Sequence, residues 1–453
     1  MRVALINPFV TSPTHGRKKG EQLVYNYKMP PLELAYIAKL LDAKGVKTLL
    51  VDANIERLGA KSASGRIQGC DIIFVSTAPY YQWQCPMLHF EYVKDYISIL
   101  RENNPSAKMY VFGPNVSLDP EFFLEGGLAD AVILGEPEER AVDLCLKRRE
   151  EVANVAWLEN GKYTVSGVKA APSSLDNLFP SFEQLPMEKY EYQFLGKPTC
   201  VLETSRGCPY PCTFCFKDMV GSRYRTKSIK RVMEEIDYVV TGFNVRNFFF
   251  HDGELTLKKD RTMELCDAII RSGHDISWAC QSRADTIDGE LADAMKRAGC
   301  RLICLGIEAG SDESLKKVKK GITLEQIRKG VRAARKAGIE TAGFFIIGLP
   351  EDDRESVNKT IGFARSLPLD YATFQIMTPY PATPVYEQYK GHFKERFPKS
   401  CSLKLTVEEL EKLKKKAFIG FYLRPVYIAR TFVKFLKEPV LLLKRFKVFL
   451  DYL

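Results

Sequence analysis

Short apolar runs alternate with amphipathic stretches along the first 150 residues. The apolar runs predict strands at Val3–Asn7, Val46–Ala53, Asp71–Thr77, Lys108–Gly113 and Ala129–Gly135. The amphipathic stretches predict helices at Pro31–Lys44, Cys85–Arg101 and Glu138–Glu151. Strands that alternate with helices form a parallel sheet with helices on both faces. Residues 1–150 are therefore predicted to form an α/β, flavodoxin-like (Rossmann-like) domain that binds its ligand at the carboxyl ends of the strands.

The alternation stops after residue 150 and restarts at Thr199. Residues 151–198 contain a hairpin-like segment around Asn160 and Gly161, and then a stretch rich in proline and serine, which predicts a linker. Further strands are predicted near residues 199–204, 246–251, 275–281, 301–307, 340–347 and 371–377. Helices are predicted between them near residues 228–242, 259–272, 289–298, 323–337 and 353–366. These strand–helix units predict a partial (β/α)6 barrel of the TIM type over residues 199–390, open on one side.

The tail, residues 391–453, begins with a charged helix near residues 405–417. From residue 418 onward, aromatic and aliphatic residues are interleaved with arginines and lysines, as in a helix that lies at a membrane surface. A pair of solvated helices packed against the barrel is the alternative interpretation. No segment approaches the roughly 20 apolar residues needed to span a bilayer. We therefore expect any membrane contact to be peripheral and to involve residues 418–453.

The composition is that of a globular protein with a sizeable core, since 45% of the 453 residues are hydrophobic. The net charge of +10 is uneven, because residues 401–453 carry twelve Lys and Arg against five Asp and Glu, or 12 − 5 = +7. Met1 runs directly into the first predicted strand, without the pattern of a secretory signal, so we expect a cytoplasmic protein with reduced cysteines. No glycine fingerprint follows that strand, which argues against a dinucleotide ligand.

Three of the twelve cysteines, Cys208, Cys212 and Cys215, follow the first strand of the predicted barrel with the spacing C-x₃-C-x₂-C. Three thiolates can bind three irons of a four-iron cluster and leave the fourth iron open to another ligand. A zinc site is the first alternative, but the run lacks both a second cysteine pair and a fourth ligand. An electron-transfer cluster is the second, and it usually has four cysteine ligands.

This run, with Phe214 before the last cysteine, resembles the cluster motif of the radical SAM superfamily. The resemblance implies that Cys208, Cys212 and Cys215 bind a 4Fe-4S cluster whose open iron is chelated by S-adenosylmethionine (SAM). An electron from the cluster then cleaves SAM to a 5′-deoxyadenosyl radical. It also implies a reductant such as flavodoxin or ferredoxin as a partner.

Residues at the ends of later strands extend the resemblance along the barrel. The family places SAM or substrate contacts at the positions of Asp252, Glu254, Ser282, Arg283, Glu308 and Gly348. Arg283 resembles the residue that pairs with the carboxylate of SAM, and Glu308 has the position of a ribose contact. The segment Pro379–Pro384 is similar to the family's P-Y-P-G-T-P element, with Ala382 in place of glycine.

The first domain resembles the cobalamin-binding domain of one radical SAM subclass. The resemblance implies that the cofactor meets the strand ends at Ser76, Thr77, Gly113, Asn115 and Glu136. The chain has no D-x-H-x-x-G motif, so cobalamin is expected to be base-off and without a protein ligand to cobalt. Gly113-Pro114-Asn115 also departs from the usual G-G-x-H. A vestigial domain without cofactor is the alternative.

The whole chain resembles the branch that contains anaerobic magnesium-protoporphyrin IX monomethyl ester cyclase and hopanoid-modifying enzymes. This implies a radical SAM enzyme acting on a large apolar substrate such as a lipid, terpenoid or tetrapyrrole. C-methylation and ring formation or rearrangement are both open. A sensor without turnover and an RNA-modifying enzyme are the alternatives. We expect no nucleic-acid partner, because the excess charge is confined to the tail and no RNA-binding appendage is evident.

Overall fold

The computed structural model describes residues 1–9, 28–83, 86, 88, 90–167 and 174–431 in full. For residues 11–13, 21–23 and 432–437 it describes the backbone alone. The chain divides into two compact units. The first comprises Met1–Glu191 together with Phe216–Gly221 and Arg225–Arg231. The second comprises Tyr192–Cys215, Ser222–Tyr224 and the chain from Val232 onward.

The first unit is built on one mixed sheet. Its strands are β1 (Arg2–Asn7), β4 (Lys47–Asp52), β5 (Ile72–Ser76), β6 (Lys108–Phe112), β7 (Ala131–Ile133), β8 (Val155–Glu159) and β9 (Lys162–Val165), and a separate pair is β2 (Thr11–Pro13) with β3 (Glu21–Leu23). Its helices are α1 (Leu32–Asp42), α2 (Ala53–Glu56), α3 (Ala60–Arg66), α4 (Phe90–Asn103), α5 (Pro114–Leu118), α6 (Pro120–Leu124) and α7 (Glu138–Leu146).

The strands of this sheet lie in the order β4-β1-β5-β6-β7-β8-β9. The first five strands in that order, from β4 to β7, all pair in parallel with their neighbours. Among the five predicted strands this is the order 2-1-3-4-5, so the flavodoxin-like prediction is confirmed. Residues 3–6 of β1 and 72–76 of β5 are all buried, as expected for central strands covered on both faces. The predicted helix from Cys85 begins at Phe90 in the structure, and Cys85 itself lies outside the described residues.

The segment 151–198, interpreted as a linker from the sequence, contributes two strands to this sheet. Strand β8 pairs antiparallel with β7 and with β9. Asn160 and Gly161 join β8 to β9 with φ angles of 50° and 78°, which is the Asn-Gly chemistry of a tight hairpin turn. The hairpin-like signal was therefore a real hairpin, and it extends the first sheet.

The second unit contains the predicted partial barrel, so this part of the fold class is also confirmed. From Thr199 onward the strands are β10 (Thr199–Leu202), β11 (Ser205–Arg206), β12 (Arg225–Thr226), β13 (Asn247–Phe250), β14 (Ser277–Ser282), β15 (Cys300–Glu308), β16 (Glu340–Ile347) and β17 (Tyr371–Ile376), of which β12 belongs to the first unit. The helices that follow α7 are α8 (Ile229–Phe243), α9 (Lys259–Ser272), α10 (Gly289–Arg297), α11 (Asp312–Lys317), α12 (Leu324–Lys336), α13 (Arg354–Ser366), α14 (Pro384–Tyr389), α15 (Val407–Tyr422) and α16 (Pro425–Lys437).

Six of these strands form a parallel sheet in the order β10-β13-β14-β15-β16-β17. Two aromatic residues of the segment before β10 contact strands that are not neighbours in this sheet. Tyr192 packs on Phe249 of β13 with ring centroids 5.1 Å apart, and Phe194 packs on Tyr371 of β17 at 4.8 Å. Tyr371 is the first residue of β17, so its contact with Phe194 lies at the start of that strand. The carboxyl ends of the strands remain as the place for a site.

Helix α15 covers the edge strand β17. The hydroxyl of Tyr422 accepts from the Ala372 amide at 3.1 Å and donates to the Ala372 carbonyl at 3.0 Å, so these edge groups are hydrogen-bonded. The predicted charged helix of the tail is thus packed on the barrel. Within the described residues no helix is long and apolar enough to cross a membrane. Residues 438–453 of the tail lie outside the described part of the chain.

Candidate cofactor sites

The three motif cysteines lie on one loop of the second unit, directly after β11. Cys208, Cys212 and Cys215 are all free thiols and half-buried. The Thr213 amide donates to the Val318 carbonyl, and the Thr213 carbonyl accepts from the Val385 amide, both at 3.0 Å. The middle of the loop is therefore fixed from two sides.

Arg283 ties this loop to the end of β14. Its guanidinium lies 3.7 Å from the ring centroid of Tyr210, which stands between the first two cysteines. Two nitrogens donate to the carboxylate of Asp285, each at 2.9 Å, and another donates to the Lys320 carbonyl at 2.7 Å. The planar guanidinium can stack and donate at the same time. Arg283 thus supports the cysteine loop, and its predicted pairing with the carboxylate of SAM stays a prediction.

Glu308 ends β15 in a left-handed conformation with a φ of 67°. Its carboxylate accepts from Lys320 Nζ at 2.8 Å, and the two side chains are only 9% and 8% exposed. A Cβ on Gly306 would lie 2.6 Å from Glu308 Oε1 and 2.8 Å from Lys320 Nζ, so glycine leaves room for the pair. The Glu308 position was predicted from the sequence, whereas Lys320 was missed.

The acidic residues at the end of β13 hold strand ends together. Asp252 is fully buried and accepts from the Thr204 amide at 2.7 Å and from the Ser205 hydroxyl at 2.7 Å. Glu254 accepts from the Ser282 hydroxyl at 2.7 Å. Burial raises the pKa of both carboxyl groups, and the hydroxyl donors oppose that rise. The structure brings Glu254 and Ser282 together at neighbouring strand ends, and their contacts with SAM stay a prediction.

The remaining positions on the barrel are placed by backbone geometry. Gly348 has a φ of 76°, its amide donates to Asp352 at 3.1 Å, and a Cβ there would meet Leu410 of α15 at 2.8 Å. Ala382 has a φ of 67°, where an L-residue costs about 1–2 kcal/mol relative to the right-handed region. Its glycine-like conformation explains why the related motif has glycine there. Phe214 is partly exposed.

The donor set of the cysteine loop fits an iron–sulfur cluster. Each thiolate of a cluster binds a different iron, so the three sulfurs need not converge on one point. Within the described residues, no three His, Cys, Asp or Glu side chains are grouped closely enough to hold one metal ion. Burial raises the pKa of the Cys212 thiol, and the Lys320 ammonium opposes that rise and favours the thiolate. Cys208, Cys212 and Cys215 are the residues that would hold the cluster.

In the first unit, the residues predicted to meet cobalamin lie at the carboxyl edge of the sheet. Ser76, Thr77 and Asn115 are each at most 1% exposed. Gly113 has a φ of 115°, and a Cβ there would lie 2.5 Å from Thr77 Oγ1, so this close approach requires glycine. Glu136 forms an ion pair with Arg225, and its contact with cobalamin stays a prediction.

Two buried residues with an unpaired side-chain oxygen at this edge were missed in the sequence. Asn7, at the end of β1, donates to Asp52 at 2.8 Å, while its Oδ1 has no hydrogen-bond partner in the described structure. Glu33 of α1 is fully buried over Ser76, and its Oε2 likewise has none. Burial raises the pKa of Glu33 to about 8. A carboxamide carries both N–H donors and a carbonyl acceptor, so the carboxamide groups of cobalamin fit the unpaired Asn7 Oδ1 as well as a protonated Glu33 carboxyl.

The raised pKa of Glu33 predicts a pH dependence of stability. Its ordinary value is 4.5 and its folded value is about 8, so the native state holds a proton that the unfolded chain releases. The stabilisation is fully present below pH 4.5 and is lost as the pH rises to 8, with a limiting slope of about 1.4 kcal/mol per pH unit. We expect the free energy of unfolding, from urea titrations, to decline less over this range in Glu33→Gln than in the native protein.

The matched control is Glu91→Gln, because Glu91 is an exposed carboxylate on α4 of the same unit. Its unfolding free energies are expected to run parallel to those of the native protein. If the free energy of unfolding of Glu33→Gln also ran parallel to that of the native protein over this pH range, the assignment of a buried, protonated Glu33 would be contradicted.

Comparisons with known proteins identify both domains. The family model described as the radical SAM superfamily matches residues 202–364, and that of the B12 binding domain matches residues 23–144. An uncharacterized methyltransferase of Pyrococcus horikoshii is 34% identical over 420 residues, which cover 87% of this chain and 88% of the relative. Anaerobic magnesium-protoporphyrin IX monomethyl ester cyclase of Rubrivivax gelatinosus is 26% identical over 86% of this chain and 70% of its own length.

The fold is also found in a solved structure. The radical SAM methyltransferase TsrM of Kitasatospora setae superposes with a TM-score of 0.70 at 18% identity, over 86% of this chain and 76% of that chain. At this identity the likeness shows a shared fold. With both domains matched and a relative 34% identical over most of the chain, this protein belongs to the radical SAM superfamily as a cobalamin-binding enzyme that uses a 4Fe-4S cluster, SAM and cobalamin.

Proposed function

We propose that this enzyme transfers a methyl group to a carbon atom of a large apolar molecule, such as a lipid, terpenoid or tetrapyrrole. The observation that carries the proposal is the relative named as a methyltransferase, which is similar over 87% of the chain and so across both cofactor domains. Cobalamin is proposed to be bound base-off, because the chain lacks the histidine motif that would supply a lower ligand to cobalt.

An apolar substrate is supported by an exposed ring on the barrel sheet. Phe344 of β16 is 39% exposed, although the residues on either side of it in the strand are buried. In the strand register it stands beside Gly306 of β15. Gly306 in turn borders the Glu308–Lys320 pair. The aromatic side chain is thus next to the charged end of the site, where it can pack against an apolar substrate.

The residues of the chain have separate tasks in this reaction. When bound, the cluster with SAM supplies one-electron chemistry at a carbon atom, and cobalamin supplies methyl transfer. The backbone of the cysteine loop is held by Val318 and Val385, and Arg283 stacks on its Tyr210 ring, all by contacts within the protein. Glu254 and the hydroxyls around it are preorganised polar groups at the end of β13.

Ring formation is the second candidate, since the cyclase of Rubrivivax gelatinosus is similar over 86% of the chain. The two reactions differ in the fate of the SAM methyl group. Methylation places it in the product, whereas cyclisation does not.

We expect anaerobically reconstituted protein, given dithionite and SAM with a deuterated methyl group, to label a compound in a lipid extract of the source cells. The measurement is mass spectrometry of the extract, together with the yield of 5′-deoxyadenosine. The control is Cys212→Ala, which removes one cluster ligand and is expected to abolish both signals. An apolar product without label would favour cyclisation, and label confined to the polar fraction would contradict an apolar substrate.

A peripheral membrane contact is proposed for residues 418–453, of which the structure describes the first part. Leu423, Val426 and Ile428 are 60%, 61% and 52% exposed near the start of α16. Apolar side chains beside cations are typical of a helix that binds a membrane surface.

Replacing Leu423, Val426 and Ile428 together by serine is expected to reduce flotation of the protein with anionic liposomes at least several-fold. The reason is that the binding free energy weakens by about 25 cal/mol for each Å² of apolar area that is no longer buried in lipid. Leu146→Ser is the control, because Leu146 is 53% exposed in the first unit. Equal flotation of all three proteins, or none by the native protein, would contradict the contact.

A further inference from the structure

The cysteine loop has two prolines between its first two cysteines. Pro209 and Pro211 flank Tyr210 in the run from Cys208 to Cys212. A proline fixes its own φ angle and restricts the residue before it, and it has no N–H to donate to a carbonyl. This half of the loop is therefore stiff, but its prolines cannot be held by hydrogen bonds from their own amides. A side-chain contact at Tyr210 can hold it instead.

Arg283 makes that contact. Its guanidinium carbon lies 3.7 Å from the ring centroid of Tyr210. Two of its nitrogens donate to the carboxylate of Asp285, each at 2.9 Å. The carbonyls of Lys320 and Gly321 accept from it at 2.7 Å and 3.3 Å. The side chain is 4% exposed, so this cation is buried, paired and stacked at once.

These contacts use most of the donors of Arg283. A guanidinium has five N–H groups, and the four hydrogen bonds to Asp285, Lys320 and Gly321 leave one of them within the described structure. A bidentate pair with a carboxylate needs two parallel N–H donors, and Asp285 already has such a pair. In this arrangement Arg283 can offer SAM a single hydrogen bond, so its main contacts serve the protein itself.

The other side of Cys212 is anchored to the same segment, residues 318–321. The Thr213 amide donates to the Val318 carbonyl at 3.0 Å, and residues 320 and 321 of this segment hold Arg283. The chain on both sides of Cys212 is thus connected to one segment, directly on one side and through Arg283 on the other.

We infer that Arg283 is a positioning residue of the cysteine loop, which holds the Tyr210 ring and so fixes the stretch between Cys208 and Cys212 by contacts within the protein. Arg283 acts on the cysteines through Tyr210. The inference concerns the loop itself, and it does not depend on methylation being the reaction.

The test is the rate at which iodoacetamide alkylates Cys208 and Cys212 in anaerobic protein without a cluster, measured by mass spectrometry of the peptides. A thiol on a loop reacts faster when the loop opens locally more often. Arg283→Lys keeps the positive charge but lacks the planar group that can stack and donate together. We expect it to raise both rates roughly threefold or more, the effect of losing one cation–π contact.

Changes at Tyr210 test whether Arg283 acts through this ring. Tyr210→Leu removes the ring and is expected to raise the same two rates, whereas Tyr210→Phe keeps the ring and is expected to keep the native rates. The double variant Arg283→Lys/Tyr210→Leu is expected to react no faster than the faster of the two single variants, because both changes remove the same contact.

Arg328→Lys is the matched control, since Arg328 stacks on Phe363 at 4.8 Å in the same unit, and we expect native rates at both cysteines. Cys145, a half-buried thiol of the first unit, reports global unfolding in every variant. If Arg283→Lys also raises the rate at Cys145, the comparison of Tyr210→Leu with Tyr210→Phe decides.

Three results would overturn the inference. The first is native rates at Cys208 and Cys212 in a folded Arg283→Lys. The second is equal rates in Tyr210→Leu and Tyr210→Phe. The third is a double variant in which the two accelerations multiply, because Arg283 and Tyr210 would then act independently.

Discussion

Both sites depend on one constraint, which is that parallel strands bring all their carboxyl ends to the same edge of a sheet. In the first unit this edge gathers Asn7, Asp52 and Ser76 from three neighbouring strands. In the second it gathers the ends of β13, β14 and β15, with the cysteine loop following β11. Residues far apart in sequence become neighbours because the strands are parallel and in register.

Burial then decides what the polar residues at these edges do. A charge withdrawn from water must be paired or must change its protonation state. Glu308 and Lys320 show the first outcome, since they are paired at 2.8 Å, and Glu33 shows the second, since burial raises its pKa to about 8. Arg283 is held by Asp285 and by Tyr210. The charged groups of the site are therefore fixed by the protein, and preorganised dipoles of this kind do not have to reorient during a reaction.

Much of this could be predicted from the sequence, because the strands β1 and β13 are apolar runs and because Cys208, Cys212 and Cys215 are close in the chain. Lys320 could not be predicted, since it lies in a loop twelve residues after Glu308 and belongs to no motif. Glu33 was missed because it occurs on a helix whose other buried residues are mostly apolar. Asn160-Gly161 was recognised as a hairpin but not as part of the sheet, because strand pairing is a property of the fold.

Three cysteines bind three irons of the cluster and leave the fourth iron open for SAM. EPR of the reduced cluster, recorded with and without SAM on protein with its iron and sulfide content determined, measures whether SAM binds at that iron. We expect SAM to change the spectrum, because its amino and carboxylate groups become ligands of the open iron, and we expect Cys208→Ala, Cys212→Ala and Cys215→Ala each to lose the signal. A spectrum that SAM leaves unchanged, on protein with a full cluster, would show that SAM is not a ligand of this iron.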